Sequence, residues 1–347
     1  MVYSLASILI EQFFERIILS EQIAIPRVSV VMSVYNETAR LRRAIDSLLR
    51  QTWNDFELIV VDDGSQGETP SILSEYAQKD SRIRVIRQEN AGLTMALIRG
   101  CNEARGEFIA RHDADDWSEP SRLSEQANLL ILNPNIGFVS CATQYVGPHE
   151  ELLDLVRRDD PPPEATRKLL DERQGPPAHG SVMFRRSLYH AAGGYRSAFY
   201  FGQDSDLWMR MGELAPLMYD VRPLYFARRD PSGLSGQMST RQALFGQFGQ
   251  DCRAARRNGQ PERQILKSAE ELAEELRRKK KQSATSWGRA TMAYLIGVSL
   301  AKRGDPRAQD YFWEAIRTNP LYWRAWMRLV LKPSPKADVT IEAATPE

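Results

Sequence analysis

The residues with the clearest capacity for chemistry are Asp113, Asp115 and Asp116, which close the stretch Gly106-Glu-Phe-Ile-Ala-Arg-His-Asp-Ala-Asp-Asp116. Three carboxylates within four residues repel one another and are not buried together without a counter-charge. Three readings fit the pattern. It is a solvated acidic turn, a pair of caps for a helix starting near Pro120, or a hard divalent cation site that leaves coordination positions for substrate phosphates. Two further acidic positions join the question. Asp62-Asp63-Gly64 follows an apolar run and is also ordinary turn chemistry. Asp204 opens a helical pattern, where a carboxylate suits the helix N-terminus whether as cap or as base.

The elements around these residues alternate. Val28 to Val34, Phe56 to Val61, Ile83 to Ile86 and Phe108 to Ala110 read as strands, the first two continuous enough to be buried on both faces. Helical spacing fills the gaps, with Leu41, Ala44, Ile45, Leu48 and Leu49 the clearest case. This order predicts an α/β fold with a parallel sheet. In such sheets ligands sit beyond the carboxyl ends of the strands. Tyr35–Glu37, Asp62–Ser65 and Asp113–Asp116 all lie there. No G-x-G-x-x-G or G-x-x-x-x-G-K-[ST] follows a strand, so a metal must hold any phosphates.

Five segments in order resemble the family-two glycosyltransferases of the GT-A fold. They are Val28-Ser-Val-Val-Met-Ser-Val-Tyr-Asn-Glu37, Val60-Val-Asp-Asp-Gly-Ser65, Asn90-Ala-Gly-Leu-Thr94, Ala104 to Asp116, and Gly202-Gln-Asp-Ser-Asp-Leu-Trp208. The resemblance implies a Rossmann-like, mostly parallel sheet flanked by helices. It also implies an inverting transferase that moves one sugar from a nucleotide-sugar, with Mg²⁺ or Mn²⁺, in bacterial surface-polysaccharide synthesis. Residue by residue, Ser33, Tyr35, Asn36 and Glu37 fall on the loop lining uracil and ribose, and Asp63 on the carboxylate that accepts from the uracil N–H. Arg99 faces phosphate or solvates a helix. Asp115 matches the ribose- or metal-side carboxylate, Asp116 the principal metal ligand and Asp204 the general base; Asp113 is read as structural. Two departures stand out. Gln203 replaces a usual Glu, and Arg228 stands where many members have a metal-binding His, so it either contacts pyrophosphate or is an ordinary surface arginine.

Composition narrows the remainder. A net charge of +1 does not favour nucleic acid as partner. Three cysteines and four histidines without clustering exclude a disulfide framework and a zinc site, and fit a reducing, cytoplasmic location. Residues 1–25 are expected to form an amphipathic helix that packs on the protein or lies on the inner face of a membrane. Residues 26–235 form the GT-A domain, with 149–163 read as a loop because of Pro161-Pro-Pro163. Residues 236–335 form a helical region carrying the basic run Arg277–Lys281, either a solvated helix end or a contact with anionic lipid or a lipid-linked acceptor. Residues 336–347 are an expected disordered tail. A saccharide or a lipid-linked molecule is the implied acceptor. A sugar-nucleotide nucleotidyltransferase and a non-catalytic nucleotide-sugar scaffold are the competing functions.

Overall fold

The computed structural model describes residues 25–231, 240–278 and 285–330. The expected N-terminal helix, the C-terminal tail and residues 279–281 of the basic run lie outside them. Nine strands form one sheet: β1 Val28–Val34, β2 Phe56–Asp62, β3 Ile83–Arg87, β4 Phe108–Asp113, β5 Trp117–Ser118, β6 Phe138–Val146, β7 Leu152–Val156, β8 Val182–Arg185 and β9 Leu217–Arg228. Their order is β3-β2-β1-β4-β8-β6-β9-β5, with β7 added to β6. The first half is parallel, as the alternation with helices requires. From β8 onward the sheet is mixed, β4–β8 and β6–β8 being antiparallel and β6–β9 parallel.

Twelve helices are described: α1 Leu41–Leu49, α2 Thr69–Lys79, α3 Leu93–Glu103, α4 Arg122–Leu132, α5 Pro162–Glu172, α6 Arg186–Ala191, α7 Gln203–Gly212, α8 Thr240–Arg257, α9 Arg263–Arg278, α10 Ser286–Lys302, α11 Ala308–Thr318 and α12 Trp323–Val330. The period of two along β1 divides the core. Val28, Val30 and Met32 face Leu41, Ile45 and Leu48 of α1. Val31 faces the other layer with Leu97 and Cys101 of α3 and Leu207 of α7. A strand covered on both faces must be apolar throughout. Gly100 lets α3 lie against β1, since a Cβ there would come within 2.6 Å of Val31.

The segment 149–163 is not the loop expected. Leu152–Val156 is a strand on the free side of β6, and Pro162 opens α5 with Pro161 as its N-cap. Proline is welcome in a first helical turn, where its missing N–H has no partner to lose. Helices α10 to α12 form a unit with its own apolar cluster, which takes in Leu153 of β7. Tyr311 donates to Glu151 at 2.6 Å and Arg303 to the Leu153 carbonyl at 3.2 Å, so this unit rests on the turn between β6 and β7.

Candidate active site

Parallel pairing decides where the acidic residues meet. Val34 is level with Asp62, and Ser33 with Asp113, so the segments after β1, β2 and β4 emerge along one edge. The acidic turn is then pinned from the far half of the sheet. β5 pairs with Tyr225 and Phe226 of β9, and Trp117 stacks on Phe226 at 5.0 Å. That pairing delivers Tyr225 and Arg228 to Asp116. The Tyr225 hydroxyl donates to Asp116 Oδ2 at 2.7 Å while accepting from the Asp113 N–H at 3.1 Å, and the Arg228 N–H donates to Asp116 Oδ1 at 2.8 Å. Gly180 leaves room for the tyrosine ring, which any Cβ there would overlap.

The electrostatics of this edge are unbalanced. Burial, then the charges of Asp115 and Asp113, hold the Asp116 carboxyl well above its ordinary range. Burial and the Asp113 charge push Asp115 up to about 6, with Glu37 adding to the effect and Arg40 opposing it. Asp204 is raised as well, by burial first and also by Asp113, against hydrogen bonds from its own and the Ser205 N–H. Charges felt by one another in this way share a neighbourhood. Arg111, fully buried in β4, is the cation beneath them; it donates to the Val31 carbonyl at 2.9 Å and pairs with Asp113. Asp115 and Asp116 do not cap α4, whose N-cap is Ser121, and Asp204 is not a cap either, because Gly202 fills that position. Asp204 stands one residue inside the first turn of α7, bound to the Ser205 N–H at 2.8 Å.

Other expected residues fall into place differently. Tyr35 and Asn36 are exposed beyond β1. Asn36 adopts a left-handed φ of 52° and accepts from the Gln66 N–H at 2.8 Å, tying the two loops together. Glu37 accepts from the Arg40 N–H at 2.9 Å, and Arg40 reaches Asp230 at 3.0 Å. Asp63, the expected acceptor for a base, also accepts hydrogen bonds within the chain. Its Oδ1 accepts from Gln88 Nε2 at 2.7 Å and the Ala91 N–H at 2.9 Å; its Oδ2 accepts from the Gly92 N–H at 2.8 Å and Asn90 Nδ2 at 3.2 Å. These donors tie Asp63 to the 88–92 segment, which it holds in place. Arg99 lies about two turns into α3, exposed near Glu103 at 4.0 Å. Arg228 is buried and pairs with Glu150 while donating to the Gly147 carbonyl at 2.9 Å. It is therefore not a surface arginine.

Residues that spacing did not reveal complete the edge. Besides Tyr225 and Arg111, His179 Nε2 and the Tyr195 hydroxyl are 2.6 Å apart, packed edge-on to Trp208. Burial and the Arg111 charge hold His179 well below its ordinary range, so its ring is neutral. The one legible signal was Arg111 following the apolar Phe108-Ile-Ala110 of β4. Among the described residues no group of three or more His, Cys, Asp or Glu side chains is set to hold a metal. The donors on offer are the pair Asp115 and Asp116: oxygen only, desolvated and short of positive charge. That set fits a hard divalent cation that takes its other ligands from substrate phosphates.

Comparison with known proteins gives the family and the fold. Residues 29–192 match the family model described as glycosyl transferase family 2. The putative glycosyltransferase EpsE of Bacillus subtilis is 34% identical over 212 residues, covering 59% of this chain and 74% of EpsE. The chain belongs to glycosyltransferase family 2. EpsH of the same organism, also described as a putative glycosyltransferase, is 36% identical over 172 residues, which is 48% of this chain and 49% of EpsH. The match thus spans about half the length of that relative. Among solved structures, Staphylococcus aureus TarS superposes with a TM-score of 0.52 at 18% identity, over 86% of this chain and 53% of that one. Its residues 1–349 in complex with UDP superpose with a TM-score of 0.51 at 15% identity, over 90% and 94%. At such identity the likeness concerns the fold, which is GT-A with a helical C-terminal region.

Proposed function

We propose that this member of the family is an inverting glycosyltransferase that moves one sugar from a nucleotide-sugar, preferentially a UDP-sugar, to a hydroxyl of a saccharide or lipid-linked acceptor in surface-polysaccharide synthesis. The observation that carries this reading is the electrostatic pressure that burial and Asp113 put on Asp115, Asp116 and Asp204 at the carboxyl edge of a parallel sheet. Carboxylates raised for a specific cause, as Asp115, Asp116 and Asp204 are, mark a functional site where such folds bind ligands. The UDP held by the TarS fragment of the same fold supports the choice of donor.

Asp204 is the base. It removes the acceptor proton as the acceptor oxygen bonds to the anomeric carbon and the sugar–diphosphate bond breaks, so one displacement inverts that carbon. Its raised pKa makes it a stronger base than a free aspartate. Asp115 and Asp116 are the residues that would hold Mg²⁺ or Mn²⁺, which when bound supplies positive charge for the departing diphosphate. Tyr225 and the Arg228 N–H fix the Asp116 carboxylate from behind. Ser33, Tyr35, Asn36 and Glu37 line the nucleotide side, and Asp63 acts at one remove by holding Ala91 and Gly92 in place. The test is metal-dependent UDP release across a panel of UDP-sugars with the Asp204→Asn variant beside the wild type. Loss of turnover with retained UDP binding is expected; unchanged turnover would remove Asp204 from this role, and UDP-sugar binding without turnover by the wild type in the presence of acceptors would favour a scaffold.

A further inference from the structure

The last described helix, α12, is amphipathic in an unusual direction. Ala325 is buried and Leu329 half-buried against the cluster of α10 and α11. Away from that seam, Trp323, Trp326, Met327 and Val330 are between 42% and 76% exposed. Their spacing of three, four and seven residues places them on one helical face. Leu321, just before the helix, is 82% exposed, and Trp313 of α11 meets Trp326 at 5.9 Å. The Trp326 indole N–H already donates to the Pro320 carbonyl at 3.0 Å, so what it offers outward is hydrocarbon. A contiguous apolar patch of this kind marks an interaction site rather than scattered surface residues.

Charge decides among occupants. Arg324 and Arg328, one helical turn apart, lie on the flank between the exposed face and the buried seam. Between residues 315 and 337 the sequence holds Arg317, Arg324, Arg328, Lys332 and Lys336 and no Asp or Glu. On α11 Asp310 and Glu314 stand near Trp313, but every charge on α12 itself is a cation, and a tryptophan-bearing helix face flanked by cations matches the boundary between acyl chains and anionic headgroups. No helix among the described residues is long and apolar enough to cross a membrane, so the contact is one of lying on the surface. We infer that α12 docks the C-terminal helical unit on an anionic lipid surface, with Trp323, Trp326, Met327 and Val330 entering the interface and Arg324 and Arg328 meeting phosphate headgroups. The inference stands on this helix alone and is independent of the reaction proposed above.

The full chain is tested by co-sedimentation with vesicles of 70% phosphatidylcholine and 30% phosphatidylglycerol, beside pure phosphatidylcholine. Binding to the anionic vesicles is expected, with a blue shift of tryptophan emission. The Trp323→Ser/Trp326→Ser variant should lose it at least tenfold. The Arg324→Gln/Arg328→Gln variant should weaken it roughly thirty-fold, the combined effect of two cations near an anionic surface. All these side chains are exposed, so unchanged melting temperatures confirm that the variants fold. Absence of wild-type binding overturns the inference, as does binding that both variants retain. A wild-type dimer that the tryptophan variant dissolves, without vesicle binding, assigns the face to a second copy. Soluble oligosaccharide quenching Trp323 fluorescence in a protein that ignores vesicles assigns it to glycan.

Discussion

The two edges of the parallel half-sheet both bury carboxylates, and they treat them in opposite ways. At the amino edge Glu57 accepts from the Ser29 hydroxyl at 2.7 Å, the Arg105 N–H at 3.0 Å and the Arg84 guanidinium at 2.9 Å. Burial pushes Glu57 up, but these hydrogen bonds more than reverse it and leave it below its ordinary value. At the carboxyl edge burial and like charge act together, and Asp115 and Asp116 stay raised. Glu57 has every partner it needs within the chain. Among the described residues Asp115 and Asp116 lack a cationic one, and that deficit is what a divalent cation would fill.

Substitutions should separate the two edges. Asp204→Asn has the largest expected effect, lowering kcat for UDP release by about 10²- to 10⁴-fold while the melting temperature holds or rises, because a raised carboxyl is removed. Next is Tyr225→Phe, which strips the hydroxyl from Asp116; metal affinity measured by titration should fall about 10- to 100-fold. Glu57→Gln should reverse the pattern. It costs about 1–3 kcal/mol in denaturant unfolding and leaves kcat of the folded protein intact. A Glu57→Gln variant as stable as wild type would erase the distinction between the edges.

The smallest effect is on pH dependence, and its sign differs between the edges. The folded protein holds the Asp115 proton up to about 6, against an ordinary 3.8. Without metal, stability therefore falls as pH rises from about 4 to 6. In chelator, melting temperature should rise on acidification from pH 7 to 5 more in wild type than in Asp115→Asn, while UDP release declines below about pH 6. Glu57, lowered from its ordinary 4.5, contributes stability that is present above that value and lost as pH falls.

Much of this was legible in the sequence where one physical rule governs locally. β1 and β2 were readable because doubly covered parallel strands must be continuously apolar, and the carboxyl-edge rule then placed Tyr35–Glu37, Asp62–Ser65 and Asp113–Asp116 on one rim. What stayed hidden depended on partners far along the chain. Tyr225 reaches Asp116 only through the pairing of β5 with β9, 109 residues away. Asp63 sits on the expected motif position, but motif position says nothing of the four donors that occupy it. The segment 149–163 was misread because three prolines argue against a helix interior and equally well for a helix start. For Arg228 the sequence left open a pyrophosphate contact or a place on the surface, and only the course of β9 shows it buried under the turn at Gly147.

The central claim is that the carboxylates of one rim share a cation with the diphosphate of the donor. Calorimetric titration of UDP into the full chain, with Mn²⁺ or with chelator, and into Asp116→Asn, tests it most directly. The account predicts binding that requires the metal and is lost in Asp116→Asn at unchanged melting temperature. UDP bound equally well in chelator, or equally well by the variant, would contradict it.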